Sequence, residues 1–146
     1  MPLLFVYGSL RKGMPLQGYI RAMRGTDTPP HADGIAQGTM YSFGRYPAVD
    51  FDGDGEIVGE LYVIPPIDDH HGYAVFRDLV RMETASGYQE RNVTVTTNDG
   101  TVTATSFHFP GDEAHRFSRG DIVEDGDWVK RYMTGDRDGV GRFSSR

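Results

Sequence analysis

The chain contains no cysteine, which removes disulfide frameworks, thiolate zinc sites and cysteine nucleophiles together. Long apolar runs are missing too. None approaches the roughly 18 residues of a spanning helix, and Met1-Pro2-Leu3-Leu4-Phe5-Val6-Tyr7 is too short for the apolar core of a signal peptide. A soluble, cytoplasmic protein with no membrane partner is the expectation. Basic residues are in the minority, with 15 Lys and Arg against 21 Asp and Glu and a formal net charge of −6. Phosphate backbones need a clustered positive excess, so no nucleic-acid partner is expected. Arg11-Lys12 is a local basic pair that would suit a carboxylate better than a duplex. There is no P-loop, no dinucleotide fingerprint and no G-x-S-x-G elbow, and Ser9 is therefore not read as an acyl-transfer nucleophile.

What is present fits one domain of 146 residues with 38% hydrophobic and 12% aromatic content. Glycine stands out, its 19 residues being nearly twice the average share of about 7%. With eight prolines, that composition favours short strands joined by turns over a helix bundle.

Leu3 to Tyr7 reads as a buried strand stopped by Gly8, and Gly8 to Gly13 as a loop. Leu16, Tyr19, Ile20 and Met23 fall at helical spacing. A strand is expected over Ile35–Phe43, a turn over Gly44-Arg45-Tyr46-Pro47, an acidic loop over Asp50–Gly55 and a strand over Ile57–Ile64. Tyr73 to Thr84 has one apolar face through Val75, Phe76, Leu79 and Val80 and predicts a helix, with Asp68 or Asp69 as cap. Arg91–Thr97 alternates as a strand, Asn98-Asp99-Gly100 signals a hairpin, and Thr101–Phe109 is its partner. Pro110–Gly120 reads as loop, and Asp125–Tyr132 opens a last short helix. One domain over 1–133 and a flexible tail over 134–146 are expected.

A strand ending in a glycine loop sets successive backbone N–H groups at a sheet rim, a nest able to hold an anion or a carbonyl oxygen. Alone, this is an ordinary strand-to-loop corner. The string Phe5-Val6-Tyr7-Gly8-Ser9-Leu10-Arg11-Lys12-Gly13, however, closely resembles the opening motif of the γ-glutamylcyclotransferase-like (AIG2-like) family. Met40–Ala48, Val58-Gly59-Glu60-Leu61-Tyr62-Val63-Ile64, Leu79–Glu83 with Tyr88 and Arg91–Val93, and Ile122–Trp128 resemble its later segments in family order. The wording is nearest to short bacterial members.

The resemblance implies an α+β fold, a small mixed β-barrel-like sheet with a few short helices. It also implies a cofactor-free, metal-free enzyme of transferase or lyase type. Such enzymes fold the α-amine of a γ-glutamyl group onto its own γ-carbonyl, giving 5-oxoproline and a released amine or amino acid. The protein must hold a cyclising conformer, move a proton and stabilise an oxyanion. Carried over by position, Glu83 is the general base. Tyr7, Gly8, Ser9 and Leu10 form the binding loop, and Tyr88 closes the pocket. A Glu buried beside Met82 would have a raised pKa, as a base working near neutrality requires. The partner implied is a small γ-glutamyl or other carboxylate metabolite.

The chain departs from the family after its best-matched segments. Val80 stands where Asp is usual, Thr84 where Gly commonly follows the Glu, and two residues, Gln89-Glu90, separate Tyr88 from Arg91 where one is usual. The loop after Glu83 is therefore expected to be reshaped, with Glu90 as a rival carboxylate. Asp50-Phe51-Asp52-Gly53-Asp54-Gly55 resembles half of an EF-hand loop, but the twelfth position is Leu61, so an acidic turn is the better reading. His70-His71 lacks a third ligand at zinc-like spacing. Trp128 reads as a packing anchor. Two functions remain: a cyclotransferase, or a non-catalytic module that binds a small metabolite in the same pocket.

Overall fold

The computed structural model describes residues 2–25, 29–44, 46–109 and 122–133. Among them run β1 (Leu3–Val6), α1 (Gln17–Arg24), β2 (Ala32–Gln37), β3 (Thr39–Ser42), β4 (Pro47–Asp50), β5 (Glu56–Val63), α2 (His70–Ala85), β6 (Gln89–Thr97), β7 (Gly100–His108) and α3 (Trp128–Met133). Five strands close a barrel in the order β1-β5-β2-β6-β7. Neighbours along that order are antiparallel, and the parallel approach of β1 to β7, with Leu4 opposite Thr105, completes the ring. The expected mixed barrel with short helices is therefore the fold, and closure leaves these strands without open edges.

Side-chain alternation divides the core in two. Leu3, Phe5 and Tyr7 of the first strand and its exit pack with Ile57, Leu61, Val93, Val95 and Ala104 in one cluster. Leu4 and Val6 pack instead with Ile20, Met23, Tyr62, Phe76 and Leu79, which joins the outside of the barrel to α1 and α2. Both faces of β1 are thus covered, which is why its sequence is a continuous apolar run rather than an alternating one. The Phe5 ring fits because β5 has a glycine there: a Cβ on Gly59 would lie 2.6 Å from Phe5 Cζ.

Three expectations are corrected. The strand expected over 35–43 is two strands in different sheets, broken at Gly38, where a Cβ would lie 3.0 Å from the Asp50 carbonyl oxygen. Strand β4 begins at Pro47, inside the span expected as a turn, and pairs with β3 as a separate hairpin. Pro47 opens β4, the strand position where its missing N–H does least harm. Helix α2 starts at His70, three residues early, because Asp69 caps it by accepting from the Gly72 N–H at 3.1 Å. The hairpin at Asn98-Asp99 forms as expected. The loop expected over Pro110–Gly120 and the tail from Thr134 lie outside the described residues. Among the described residues, no helix is long and apolar enough to cross a membrane.

Candidate active site

The chain leaves β1 at Tyr7, whose hydroxyl donates to the Phe107 carbonyl at 2.7 Å and ties β1 to β7. Gly8 then passes so close to Pro47 that a Cβ would lie 2.7 Å from the Pro47 Cγ. The loop coils on its own carbonyls, with Arg11 N donating to Gly8 O at 3.0 Å and Leu16 N to Ser9 O at 2.8 Å. The amide N–H groups of Gly8, Ser9 and Leu10, by contrast, donate to no acceptor among the described residues. They are three main-chain donors left at the rim of β1 among the described residues.

Glu60 of β5 holds the far side of this loop. Its buried carboxylate accepts from Arg11 Nε at 3.1 Å, from Lys12 N at 2.8 Å and from the Tyr62 hydroxyl at 3.1 Å. Arg11 also reaches Asp127 at 2.9 Å. The carboxylates that Arg11 meets are the protein's own: its guanidinium is committed to Glu60 and Asp127 and does not line the cavity, so the expectation that the basic pair would suit a ligand carboxylate is corrected for Arg11. An ion pair this deep is held in place because separating it would strand a buried charge.

The opposite wall comes from the end of α2. Gly87, at φ 101°, takes the left-handed conformation, and the chain turns back on the helix. Tyr88 N then donates to Glu83 O at 3.1 Å and Gly87 N to Thr84 O at 3.1 Å, the paired bonds of a Schellman motif. Thr84 thus lies within α2, which runs to Ala85, and the departure there does not dissolve the helix. Thr84 Oγ1 donates to the Val80 carbonyl at 2.7 Å within that last stretch. Tyr88 is buried, its hydroxyl donates to the Pro47 carbonyl at 2.7 Å, and its ring meets Phe109 edge-on at 5.4 Å.

Between these walls lies a cavity of about 330 Å³, within the range of small-molecule sites. Tyr7, Gly8, Ser9, Leu10, Glu83 and Tyr88, the site residues read from the sequence, all line it. Glu83 is the only formally charged side chain among the described lining residues. Burial pushes its carboxyl up to about 7. Burial raises the Tyr7 phenol well above its ordinary value, helped by Tyr88 and Glu83, and burial followed by the Glu83 charge does the same to Tyr88. The rival Glu90 sits exposed on β6, 3.8 Å from Arg77 and outside the cavity.

Leu16, Tyr46, Pro47, Met82 and Ser86 also line the cavity, and sequence reasoning did not assign them to it. They come from three separate segments, so no periodicity in the chain connects them. Tyr46-Pro47, in the second family-like motif, and Met82, within the family-like segment Leu79–Glu83, carried a signal; Leu16 and Ser86 carried none. A second cluster was also missed. Asp52 accepts two hydrogen bonds from Arg91, at 3.0 and 2.6 Å, beside buried His108, whose Nδ1 accepts from the Phe51 N–H at 3.2 Å. Asp50, Asp52 and His108 bring their ligand atoms within 4.8 Å of one another, yet the Arg91 guanidinium already supplies the positive charge there. The acidic stretch is thus a turn before β5, and Leu61 of the would-be calcium loop is buried in the barrel. His70 and His71 are exposed at the start of α2, and Trp128 is a buried part of the barrel cluster.

Solved structures of the same fold include an uncharacterized protein from Pyrococcus horikoshii (22% identity, TM-score 0.62, covering 89% of this chain and 92% of that one). An AIG2-like protein from Mus musculus matches at 15% identity and TM-score 0.61, over 88% of each chain. YkqA from Bacillus subtilis matches at 24% identity and TM-score 0.65, over 90% of this chain but only 41% of its own longer one. No curated protein matches the chain significantly. The family model for "Gamma-glutamyl cyclotransferase, AIG2-like" proteins matches residues 4–130, from the first strand to α3. The chain belongs to the γ-glutamyl cyclotransferase, AIG2-like family.

Proposed function

We propose that the protein is a cofactor-free cyclotransferase that converts a γ-glutamyl amide to 5-oxoproline and the free amine. One observation carries this reading: Glu83 lines one cavity together with Gly8, Ser9 and Leu10, whose N–H groups donate to no acceptor among the described residues. A base and a set of oxyanion donors are the two things an intramolecular acyl transfer needs when nucleophile and electrophile already belong to one molecule.

In this mechanism Glu83 takes a proton from the substrate ammonium. The freed amine attacks the γ-carbonyl carbon, a C–N bond forms, and negative charge gathers on the carbonyl oxygen. Backbone N–H donors of the glycine loop stabilise that charge. Glu83 returns its proton to the leaving nitrogen as the old C–N bond breaks. Of the three ammonium hydrogens, one stays on the lactam, one reaches the leaving amine through Glu83, and one is taken up by the released amine or by water. A carboxyl with a pKa near neutrality can both accept and return that proton.

The test is release of 5-oxoproline from a panel of γ-glutamyl amines and γ-glutamyl amino acids by the purified protein. Turnover of at least one, lost in Glu83→Gln, supports the proposal. Tight binding of these compounds with no turnover of any would replace it with a metabolite-binding module.

A further inference from the structure

The cavity has two ends of different chemistry. Tyr7, Gly8 and Leu10 line it as buried residues, together with the partly buried Glu83. Leu16 and Tyr46, by contrast, line the cavity while remaining 37% and 49% exposed, so they stand at its mouth. Met82, half-buried in the last turns of α2, adds a third apolar wall from a third segment.

The position of Tyr46 is built rather than incidental. Phe43 N donates to Tyr46 O at 2.9 Å, closing a tight turn between β3 and β4. From the interior outward, the rings of Tyr88, Phe109, Phe43 and Tyr46 follow one another at centroid spacings of 5.4, 5.3 and 5.1 Å. Contacts of this kind hold an aromatic ring in a preferred orientation. The exposed ring is thus fixed at the mouth by a row of packed neighbours.

Charge at the mouth is equally telling. No Lys or Arg is among the described residues that line the cavity, and Glu83 is the one formally charged side chain among them. An amino-acid leaving group would bring a carboxylate that meets no cation among the described lining residues, into a site holding the like charge of Glu83. An uncharged hydrocarbon group would instead cover Leu16, Met82 and the Tyr46 ring and exclude water from them.

Building on the cyclotransferase reading above, we infer that Leu16, Tyr46 and Met82 form a leaving-group subsite selective for uncharged, apolar amines over amino acids. The substrate class is then a γ-glutamyl amide of an alkyl or arylalkyl amine. Leu16 and Tyr46 set specificity without taking part in the bond changes.

The experiment compares kcat/KM for the γ-glutamyl amides of methylamine, propylamine, pentylamine and benzylamine with γ-glutamylglycine, γ-glutamylglutamate and the mono-γ-glutamyl amide of 1,5-diaminopentane. Each added methylene should raise kcat/KM about threefold, somewhat under the fourfold of complete burial. The pentylamide should exceed the diamine derivative and both dipeptides by at least about tenfold. In Tyr46→Ser and, separately, Leu16→Ser, the pentyl-to-methyl ratio should fall about threefold to tenfold. Both side chains are well exposed, so folding should survive either change. Turnover with no chain-length dependence, or with a dipeptide or the diamine derivative preferred, overturns the subsite and leaves the cyclotransferase reading standing. No turnover of any member overturns both.

Discussion

The main-chain N–H of Tyr88 donates to the carbonyl of Glu83 at 3.1 Å, so one helix-ending motif ties together two residues whose side chains line the same cavity. The motif depends on Gly87 in the left-handed region at φ 101°. Gly87→Ala should destabilise the fold by about 1–2 kcal/mol, measured as a shift in denaturant midpoint. It should also reduce turnover at temperatures where the variant is fully folded, because Glu83 and Tyr88 no longer share a fixed geometry. A variant as active as the parent would show that the coupling is dispensable.

Glu83→Gln separates catalysis from stability. Removing a positioned general base should lower kcat by about 10²–10⁴-fold. The stability effect has the opposite sign. Because burial raises the folded-state pKa from 4.5 to about 7, stability contributed by the neutral carboxyl is complete below about pH 4.5 and is lost as pH rises through 7. Glutamine does not titrate. The variant should gain on the parent by about 2 kcal/mol between pH 4 and pH 8, a figure reduced for partial solvent access. Thermal melts of both proteins at the two pH values would measure it.

The same group predicts the pH–rate profile. A base must be deprotonated to act, so log kcat/KM should rise with unit slope below pH 7 and level off above it. A bend near pH 4.5 would mean that burial does not perturb the working carboxyl, or that another group is the base.

Glu60 supports the loop without lining the cavity. Glu60→Gln keeps the shape but removes the charge that faces Arg11 Nε at 3.1 Å, where both side chains are about nine-tenths buried. Arg11 keeps Asp127, so the cost should be about 2 kcal/mol, below that of a fully orphaned buried charge. With the loop less firmly held, KM should rise more than kcat falls. A change in kcat alone would point to a different role for Glu60.

The second half of the chain was the most legible part of the fold. Period-two alternation in β6, the Asn98-Asp99-Gly100 turn and the apolar face of α2 are local patterns, and each produced its element within a few residues. The strand broken at Gly38 was not legible, because the break is caused by atoms of Asp50, Val49 and Ile57 that meet the chain only after folding. The hairpin that presents Tyr46 and Pro47 to the cavity was missed with it.

From the sequence alone came the family, the strand-and-glycine loop, and the candidate carboxylate at Glu83. These lie in contiguous strings whose residue types are constrained by backbone geometry and by chemistry. Only the tertiary structure decided that Arg11 is neutralised, that Glu90 faces away, and that Glu83 sits in an enclosure dry enough to raise its pKa. Those outcomes depend on which groups approach from Glu60, Asp127, Arg77 and the β3–β4 turn. Desolvation and charge pairing act through space, and no run of neighbouring residues records them.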